Sequence, residues 1–228
     1  MPNYKLGTDD PTITPDTGAG AWNSEETTIE MRLKKEAIRQ GMGAAYVAIG
    51  DDATKHLIHY FNNSGRDYTI DLEDLLDDVT EEKELYNREL NEAKRFVEAS
   101  GRTGRFEITS SSARGGYIRQ SENRNWYFAV GGYSAWGKGI ADVSSNAAGQ
   151  KSYKLEFEYR FFDRYNWDGG KSVTIFGQVI TDEFMGRFHR EGLAKEFDMN
   201  GSYKKTVNWG APTAAPAGAG QAGGRGGR

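Results

Sequence analysis

The segment from Tyr153 to Phe161 alternates strictly between apolar and charged side chains. Because successive side chains of a β-strand point to opposite faces of a sheet, this period of two predicts a strand with one buried face and one solvent-facing face. A strand of this kind needs partner strands on at least one side. The segment therefore predicts that a sheet forms the β part of the fold.

A helical period precedes this strand, in residues 24–100. Residues 72–79 place leucine and valine at the i, i+3, i+4 and i+7 positions of one helix face, and Asp71 stands where an N-cap is expected. After Gly101 the period changes to two, apart from a short helix predicted over 181–191. Helices followed by short strands predict an α+β fold, with an N-terminal helical layer packed on a small, curved antiparallel sheet or an open β-barrel.

Three shorter segments give local predictions. Ser24, followed by two glutamates, is a candidate N-cap for the first helix. The aromatic run from Trp126 to Val130 predicts a short strand. The glycine-rich residues 131–139 superficially resemble a phosphate-binding loop, but no helix signature follows them, so they predict a strand, a turn and a second strand.

The chain divides into four parts by composition. Residues 1–23 predict a flexible arm, residues 24–100 a helical subdomain, and residues 101–209 a β-rich subdomain. Residues 210–228 are rich in glycine, alanine and proline and predict a flexible tail. Two arginines among its last glycines are compatible with RNA binding, but a solvated linker is the favoured interpretation.

Charge and cysteine content exclude several classes of protein. Residues 24–100 carry 18 acidic and 10 basic residues, and no dense basic stripe exists elsewhere, so nucleic acid is not an expected partner. The absence of cysteine excludes disulfides, thiolate zinc sites and thiol nucleophiles.

No apolar run approaches the ~20 residues of a membrane helix, and the N-terminus lacks the pattern of a signal peptide. Export is therefore expected to use a dedicated secretion or injection system.

A polar cluster follows the alternating strand, and it holds most of the candidate site. Asp163 and Asp168 can bind a divalent cation, most simply Mg²⁺ that keeps several waters. Tyr165 and Asn166 can hydrogen-bond a phosphate or a sugar, and Lys171 can meet an anion. This set suits metal-assisted hydrolysis of a phosphoester. The alternative is a structural hairpin loop, because Asp-Gly-Gly-Lys is also typical of a turn.

The histidines and two further arginines complete the candidates. His189 can serve as a general base if it lies near Asp163; alternatively it is a surface histidine near a helix C-terminus. His56 and His59 have the i, i+3 spacing of metal ligands, but ordinary partly buried side chains are the favoured interpretation. Arg164 and Arg190 are candidate substrate-binding cations.

Three blocks of the sequence, in order, resemble a known family. They are Leu57–Ile70, with the sequence LIHYFNNSGRDYTI, Asp163–Asp168, with DRYNWD, and Arg190–Phe197, with REGLAKEF. Together the blocks are similar to the activity domain of the colicin M family, bacteriocins that degrade lipid II. The resemblance implies an open, highly curved β-barrel decorated by helices. It also implies Mg²⁺-dependent cleavage of the phosphodiester between undecaprenol and the pyrophosphoryl-disaccharide.

The resemblance assigns roles to the cluster and also shows where it departs from the family. Asp163 matches the family's essential aspartate and Tyr165 its tyrosine. Asn166 stands where the family has a second essential aspartate, and the family's nearby histidine is replaced within residues 170–172. Asp168 and His189 are the candidates to compensate.

Two functions therefore stand at this point. The first is an antibacterial effector that hydrolyses a lipid-linked peptidoglycan precursor, with an immunity protein as an expected partner. The second is a catalytically inactive descendant of the same fold that serves as a binding or structural module. The family's receptor-binding and translocation regions have no match in the chain.

Overall fold

The computed structural model describes residues 3–168, 172–175 and 178–211. These residues form an α+β fold with an open mixed sheet, which confirms the predicted fold class. The helices are α1 Ile29–Gln40, α2 Met42–Ile49, α3 Asp51–Phe61, α4 Leu72–Asp78, α5 Thr80–Ala99, α6 Arg124–Ala129 and α7 Asp182–Arg190. The strands are β1 Tyr4–Leu6, β2 Tyr68–Thr69, β3 Gly104–Ser110, β4 Arg114–Tyr117, β5 Gly132–Ser145, β6 Lys151–Tyr165, β7 Ser172–Ile175, β8 Gln178–Thr181 and β9 Phe197–Gly210.

The long strands β5, β6 and β9 form the centre of the main sheet. Its strand order is β1-β3-β5-β6-β9-β2, with β4 paired to β5, and β7 and β8 form a separate hairpin. The pairs are antiparallel except for β2 and β9, which run parallel, so the main sheet is mixed rather than wholly antiparallel. The alternating segment lies in β6, where every second residue from Leu155 to Tyr165 is buried.

Helix α5 packs on the apolar face of this sheet. Its inner face buries residues at helical spacing, among them Leu85, Tyr86, Ala93 and Val97. The buried apolar residues of helices and strands form one core cluster. Within the described part of the chain, no helix has both the length and the apolar character needed to cross a membrane.

Of the two predicted helix N-caps, one is confirmed and one is wrong. Asp71 caps α4, since its side chain accepts hydrogen bonds from the N–H groups of Glu73 and Asp74, as predicted. The prediction of Ser24 as the first N-cap is wrong. Helix α1 begins five residues later and is capped by Thr28, whereas the Ser24 hydroxyl donates to the carbonyl of Ala21.

Two predictions of strand structure are wrong for the same physical reason, namely contacts with distant residues. The run from Trp126 to Val130 lies mostly in α6, because Asn123 caps a helix there and the Trp126 indole donates to Asp78 at 2.9 Å. The glycine-rich segment is part of one continuous strand, β5. A side chain at Gly137 would collide with the rings of Tyr4 and Phe157, so glycine permits close packing there instead of forming a turn.

Candidate active site at the end of strand β6

The first block of the site continues the buried face of β6. Leu155, Phe157, Tyr159 and Phe161 occupy this face, and the alternation then places Asp163 in the next buried position, with an exposed fraction of 7%. A carboxylate in a row of apolar side chains loses hydration, and residues of this kind are concentrated at functional sites. The site therefore begins inside the strand rather than in the loop after it.

Asp163 opens onto a cleft of about 590 Å³ between the end of β6 and the N-terminal helices. The polar end of the cleft is lined by consecutive residues 163–168, together with Asp16 and Asp182. The remaining lining is mostly apolar, and its apolar residues form what we call the apolar wall. They come from α1, α2, α3, α6, β8 and α7 and from the residue after α6: Ala37, Ile38, Met42, Ala44, Ala45, Ile49, Leu57, Tyr127, Phe128, Val130, Ile180 and Met185.

Asp163 and Tyr165 are held firmly at the polar end. One carboxylate oxygen of Asp163 accepts a hydrogen bond from the backbone N–H of Arg164 at 2.7 Å. The Tyr165 ring stacks on Phe197, with centroids 5.0 Å apart, and meets the edge of Trp167. Burial raises the pKa of Tyr165 well above its ordinary value, so its hydroxyl stays protonated at neutral pH.

Two donors in the cleft lining are buried and have no acceptor. They are the side-chain N–H groups of Asn166 and Trp167, and neither finds a hydrogen-bond partner within the described residues. Buried donors without partners are uncommon in native structures and cost about 1–3 kcal/mol each. Asn166 is the residue that replaces the second aspartate of the colicin M pattern, and its amide can donate a hydrogen bond where a carboxylate can only accept.

The cleft also contains carboxylates beyond Asp163. Asp168 is exposed, Asp182 is buried at the start of α7, and Asp16 reaches the cleft from the N-terminal segment. Among the described residues, no three acidic or histidine side chains lie where they could hold a metal ion together. Because Mg²⁺ commonly takes one or two protein carboxylates and fills its other positions with water, Asp163 and Asp168 suit it by donor chemistry.

His189 is buried beneath the N-terminal segment, and the described residues that line the cleft do not include it. Its Nδ1 accepts from the backbone N–H of Glu196 and its Nε2 donates to the carbonyl of Gly20, both at 3.1 Å. Burial lowers the pKa of His189, although the nearby Glu196 carboxylate opposes this effect. Both ring nitrogens of this neutral imidazole are therefore bonded to the backbone.

Glu196 joins the N-terminal segment to the site, and sequence reasoning missed it. Its buried carboxylate accepts hydrogen bonds from the backbone N–H groups of Ala19 and Trp167, each at 2.9 Å. Gly18 has a φ of +65°, and a side chain there would occupy the position of this carboxylate. The residues predicted to form a flexible arm therefore contact the candidate site. Nothing in the local sequence around Glu196 indicates this contact.

The candidate substrate-binding cations lie in different surroundings. Arg164 lines the cleft and pairs with Asp198 at 2.8 Å. Arg190 pairs with Glu25 and Glu183 and is not among the described residues that line the cleft. Lys171 lies outside the described residues, as do residues 212–228 of the predicted tail.

The other two histidines are occupied by backbone and aromatic contacts. His56 is buried and its Nδ1 lies 2.7 Å from the carbonyl of Ala129, while Nε2 of His59 lies 2.8 Å from the carbonyl of Arg66. Both rings meet Tyr68 edge to face. These contacts agree with the favoured interpretation of the two residues as ordinary packed side chains.

Comparison with known proteins adds a distant likeness. No family model and no curated protein matches the chain. PaeM, a colicin M-like bacteriocin produced by Pseudomonas aeruginosa, is similar in structure with a TM-score of 0.35 and 15% identity, over 72% of this chain and 52% of PaeM. The truncated bacteriocin syringacin M from Pseudomonas syringae pv. tomato DC3000 has a TM-score of 0.30 and 14% identity, over 69% of this chain and 59% of that structure. The chain thus spans less than two thirds of either structure, and similarity at this level carries no argument about activity.

Proposed function

We propose that this chain is an antibacterial effector that hydrolyses the phosphodiester of a lipid II-type precursor. The observation that carries the proposal is the cleft, which sets the carboxylates of Asp163 and Asp168 against an apolar wall. A substrate that joins a polyprenyl chain to a phosphorylated sugar presents the same two kinds of surface. The order of the three colicin M-like blocks in the sequence supports the same substrate class.

The proposal gives each residue of the polar end a task. Asp163 and Asp168 would hold Mg²⁺, which when bound neutralises phosphoryl charge and lowers the pKa of a bound water. Asn166 would donate its buried amide N–H to a phosphoryl oxygen. Tyr165 would support this part of the cleft through its ring contacts with Trp167 and Phe197. Arg164 and Lys171 are the proposed cations for the pyrophosphate. Arg190 remains a proposed substrate-binding cation outside the described cleft lining. For His189 to act as a base, its Nδ1 would first have to release the backbone N–H of Glu196.

The test is hydrolysis of lipid II by the full chain with Mg²⁺. We expect release of pyrophosphoryl-disaccharide, and we expect Asp163→Asn to reduce the rate by about 100-fold or more, as loss of a group that acts in the transition state does. The matched control is Asp142→Asn, the same change at an exposed position of β5 that does not line the cleft. Absence of product from the wild-type protein, or equal rates in Asp163→Asn, would refute the proposed hydrolysis.

A second candidate function is a binding module without catalysis, and Asn166 is the observation that favours it. Asn166→Asp separates the two, because it adds a carboxylate three residues from Asp163 and removes the amide N–H. If the protein is the proposed hydrolase, this variant should bind Mg²⁺ about tenfold more tightly but hydrolyse about tenfold more slowly, since the donor to the phosphoryl oxygen is lost. Saturable binding of lipid II without hydrolysis by either protein would favour the binding module.

The effector proposal extends to partners and location. A cell that makes such a protein would need an immunity protein, and nucleic acid is not a proposed partner. The protein would leave the cytoplasm through a dedicated secretion or injection system and act at the periplasmic side of the target membrane. Co-expression with the product of a neighbouring gene, followed by a growth assay, tests for immunity.

A further inference from the structure

Helix α2 is apolar on all sides, yet four of its eight residues are exposed. Its sequence, MGAAYVAI, contains no charged side chain, and among its eight residues Ala48 and Ile49 are the buried ones. Tyr46 and Val47 keep 55% and 81% of their surface exposed. A helix without a polar face is ordinarily buried. The exposed surface of α2 therefore fits an apolar partner.

Helix α1 extends this surface toward the cleft. Ile29 and Leu33 are 78% and 68% exposed and lie four residues apart, so they share one helix face. Ala37 is the next residue along that face, and it lines the cleft, as Ala44 of α2 does. We name the four large side chains Ile29, Leu33, Tyr46 and Val47 the α1–α2 apolar patch. The two helices that carry the patch also contribute Ala37 and Ala44 to the apolar wall of the cleft.

The charges around the patch are complementary to an anionic surface. Arg32 and Arg39 of α1 are exposed, lie two helical turns apart, and make no ion pair with any described residue. Of the neighbouring acids, Glu30 pairs with Lys34 and Asp51 pairs with Lys55, whereas Glu36 accepts a hydrogen bond from the Gln40 amide. Helix α1 carries four basic and two acidic side chains, so its net charge is positive. Exposed apolar side chains flanked by free arginines are typical of helices that lie in the interface of a membrane.

We propose that the α1–α2 apolar patch, with Arg32 and Arg39, binds the surface of an anionic lipid bilayer. The apolar side chains enter the headgroup region, and the two guanidinium groups contact lipid phosphates. Its consequence for the cleft rests on the proposed function, because the patch would bring the cleft mouth to the layer that holds a lipid-linked substrate. The binding itself requires no hydrolysis.

The test is sedimentation of the full chain with vesicles that contain no lipid II. We expect binding to vesicles of phosphatidylglycerol and phosphatidylcholine, and weaker binding to phosphatidylcholine alone or in high salt. Leu33→Glu combined with Val47→Glu should weaken binding by about tenfold or more. Replacing both Arg32 and Arg39 by glutamine should weaken binding to the anionic vesicles by roughly fivefold per arginine, without changing binding to phosphatidylcholine.

Leu6→Glu is the matched control for Leu33→Glu, since Leu6 is an exposed leucine in strand β1. It should leave vesicle binding unchanged, and thermal unfolding should show that all variants fold. Equal vesicle binding by wild-type protein and the double variant overturns the inference. So does a patch that proves to join two copies, seen when the double variant turns a dimer into a monomer without altering vesicle binding.

An assay of lipid II hydrolysis in detergent micelles, which contain no bilayer, measures the proposed activity independently of membrane binding. The Asp163→Asn variant should bind vesicles as the wild type does. Vesicle binding by a wild-type protein that hydrolyses nothing leaves the membrane inference standing while the proposed activity falls. Hydrolysis in micelles by a protein that binds no vesicles would overturn the membrane inference and leave the proposed activity standing.

Discussion

Two carboxylates on the inner face of α5 are fully buried and are stabilised in different ways. Glu89 forms an ion pair with Arg114. Glu82, two helical turns earlier, accepts hydrogen bonds from the hydroxyls of Tyr133 and Tyr159 and makes no ion pair with any described residue. Burial raises the pKa of Glu82 to about 7, although the two hydroxyls partly oppose this effect. Glu82 therefore titrates near neutral pH in the folded protein.

This pKa predicts that Glu82 lowers the stability of the fold as the pH rises. The unfolded chain releases the proton near the ordinary pKa of 4.5, while the folded protein holds it to about 7. Between these values the folded state binds more protons, so the free energy of unfolding falls with rising pH, by up to about 3 kcal/mol in all. Glu82→Gln should remove this loss, and denaturant unfolding from pH 4 to pH 8 measures it.

Glu84→Gln is the control, because Glu84 is exposed on the same helix and should leave the pH profile unchanged. The comparison with wild type also cancels the contribution of His189. Its lowered pKa acts in the opposite direction, since stability is lost as the pH falls below 6.5. A Glu82→Gln profile parallel to that of wild type would show that Glu82 does not titrate in this range.

At the scale of elements, the N-terminal segment is attached to α7 by backbone bonds. The N–H groups of Asn23 and Glu25 donate to the carbonyls of His189 and Arg190, at 3.1 and 2.9 Å. The Glu196 carboxylate adds a third attachment through Ala19. These bonds hold the segment over the imidazole and beside the polar end of the cleft.

Glu196→Ala should release this segment. The change leaves the N–H groups of Ala19 and Trp167 without their acceptor, at a cost of about 1–3 kcal/mol. We expect faster hydrogen exchange in residues 17–25, measured by mass spectrometry, and little change in β5 and β6. Glu196→Gln retains one acceptor oxygen and should restore most of the protection.

Glu25→Gln is the matched control, since Glu25 is an exposed residue of the same segment and pairs with Arg190. It should change exchange in the segment only slightly, because exposed ion pairs contribute little. Protection of residues 17–25 that survives Glu196→Ala would mean that the backbone bonds to α7 suffice.

The elements also show which parts of the fold the sequence can predict. Strand β6 and helix α4 are predictable from the sequence, because β6 has a long period of two and Asp71 caps α4 locally. Helix α6 was missed because its six residues look like a strand, and its conformation depends on Asp78, which lies 48 residues earlier. Short aromatic segments take their structure from tertiary contacts that local patterns do not contain.

At the scale of the whole molecule, the sequence predicts some of the residues that line the cleft, while their roles stay a prediction. Asp163, Tyr165 and Asp168 could be selected from the sequence because they are neighbours in the chain, and the structure places all three in one cleft. The apolar wall could not be predicted, since it unites residues from Ala37 to Met185 that meet through folding alone. Lys171 remains a sequence prediction, because it lies outside the described residues.

One core connects the predicted helical subdomain, residues 24–100, with the predicted β-rich subdomain, residues 101–209. Buried residues of α4 and α5, such as Leu75 and Leu85, belong to the same apolar cluster as Leu155 and Phe157 of β6. A shared core favours cooperative loss of structure, because neither part can bury its apolar face alone.

Leu155→Ala tests this cooperativity. Leu155 is fully buried in the central strand, so the change should cost about 2–5 kcal/mol, while Leu33→Ala, at an exposed position, should cost little. Because the core is shared, the loss should reach the helices as well as the sheet. We expect far-ultraviolet circular dichroism, which follows the helices, and near-ultraviolet dichroism of the buried aromatic rings to shift to the same lower midpoint. A helical signal that keeps the wild-type midpoint in Leu155→Ala would show that residues 24–100 unfold independently.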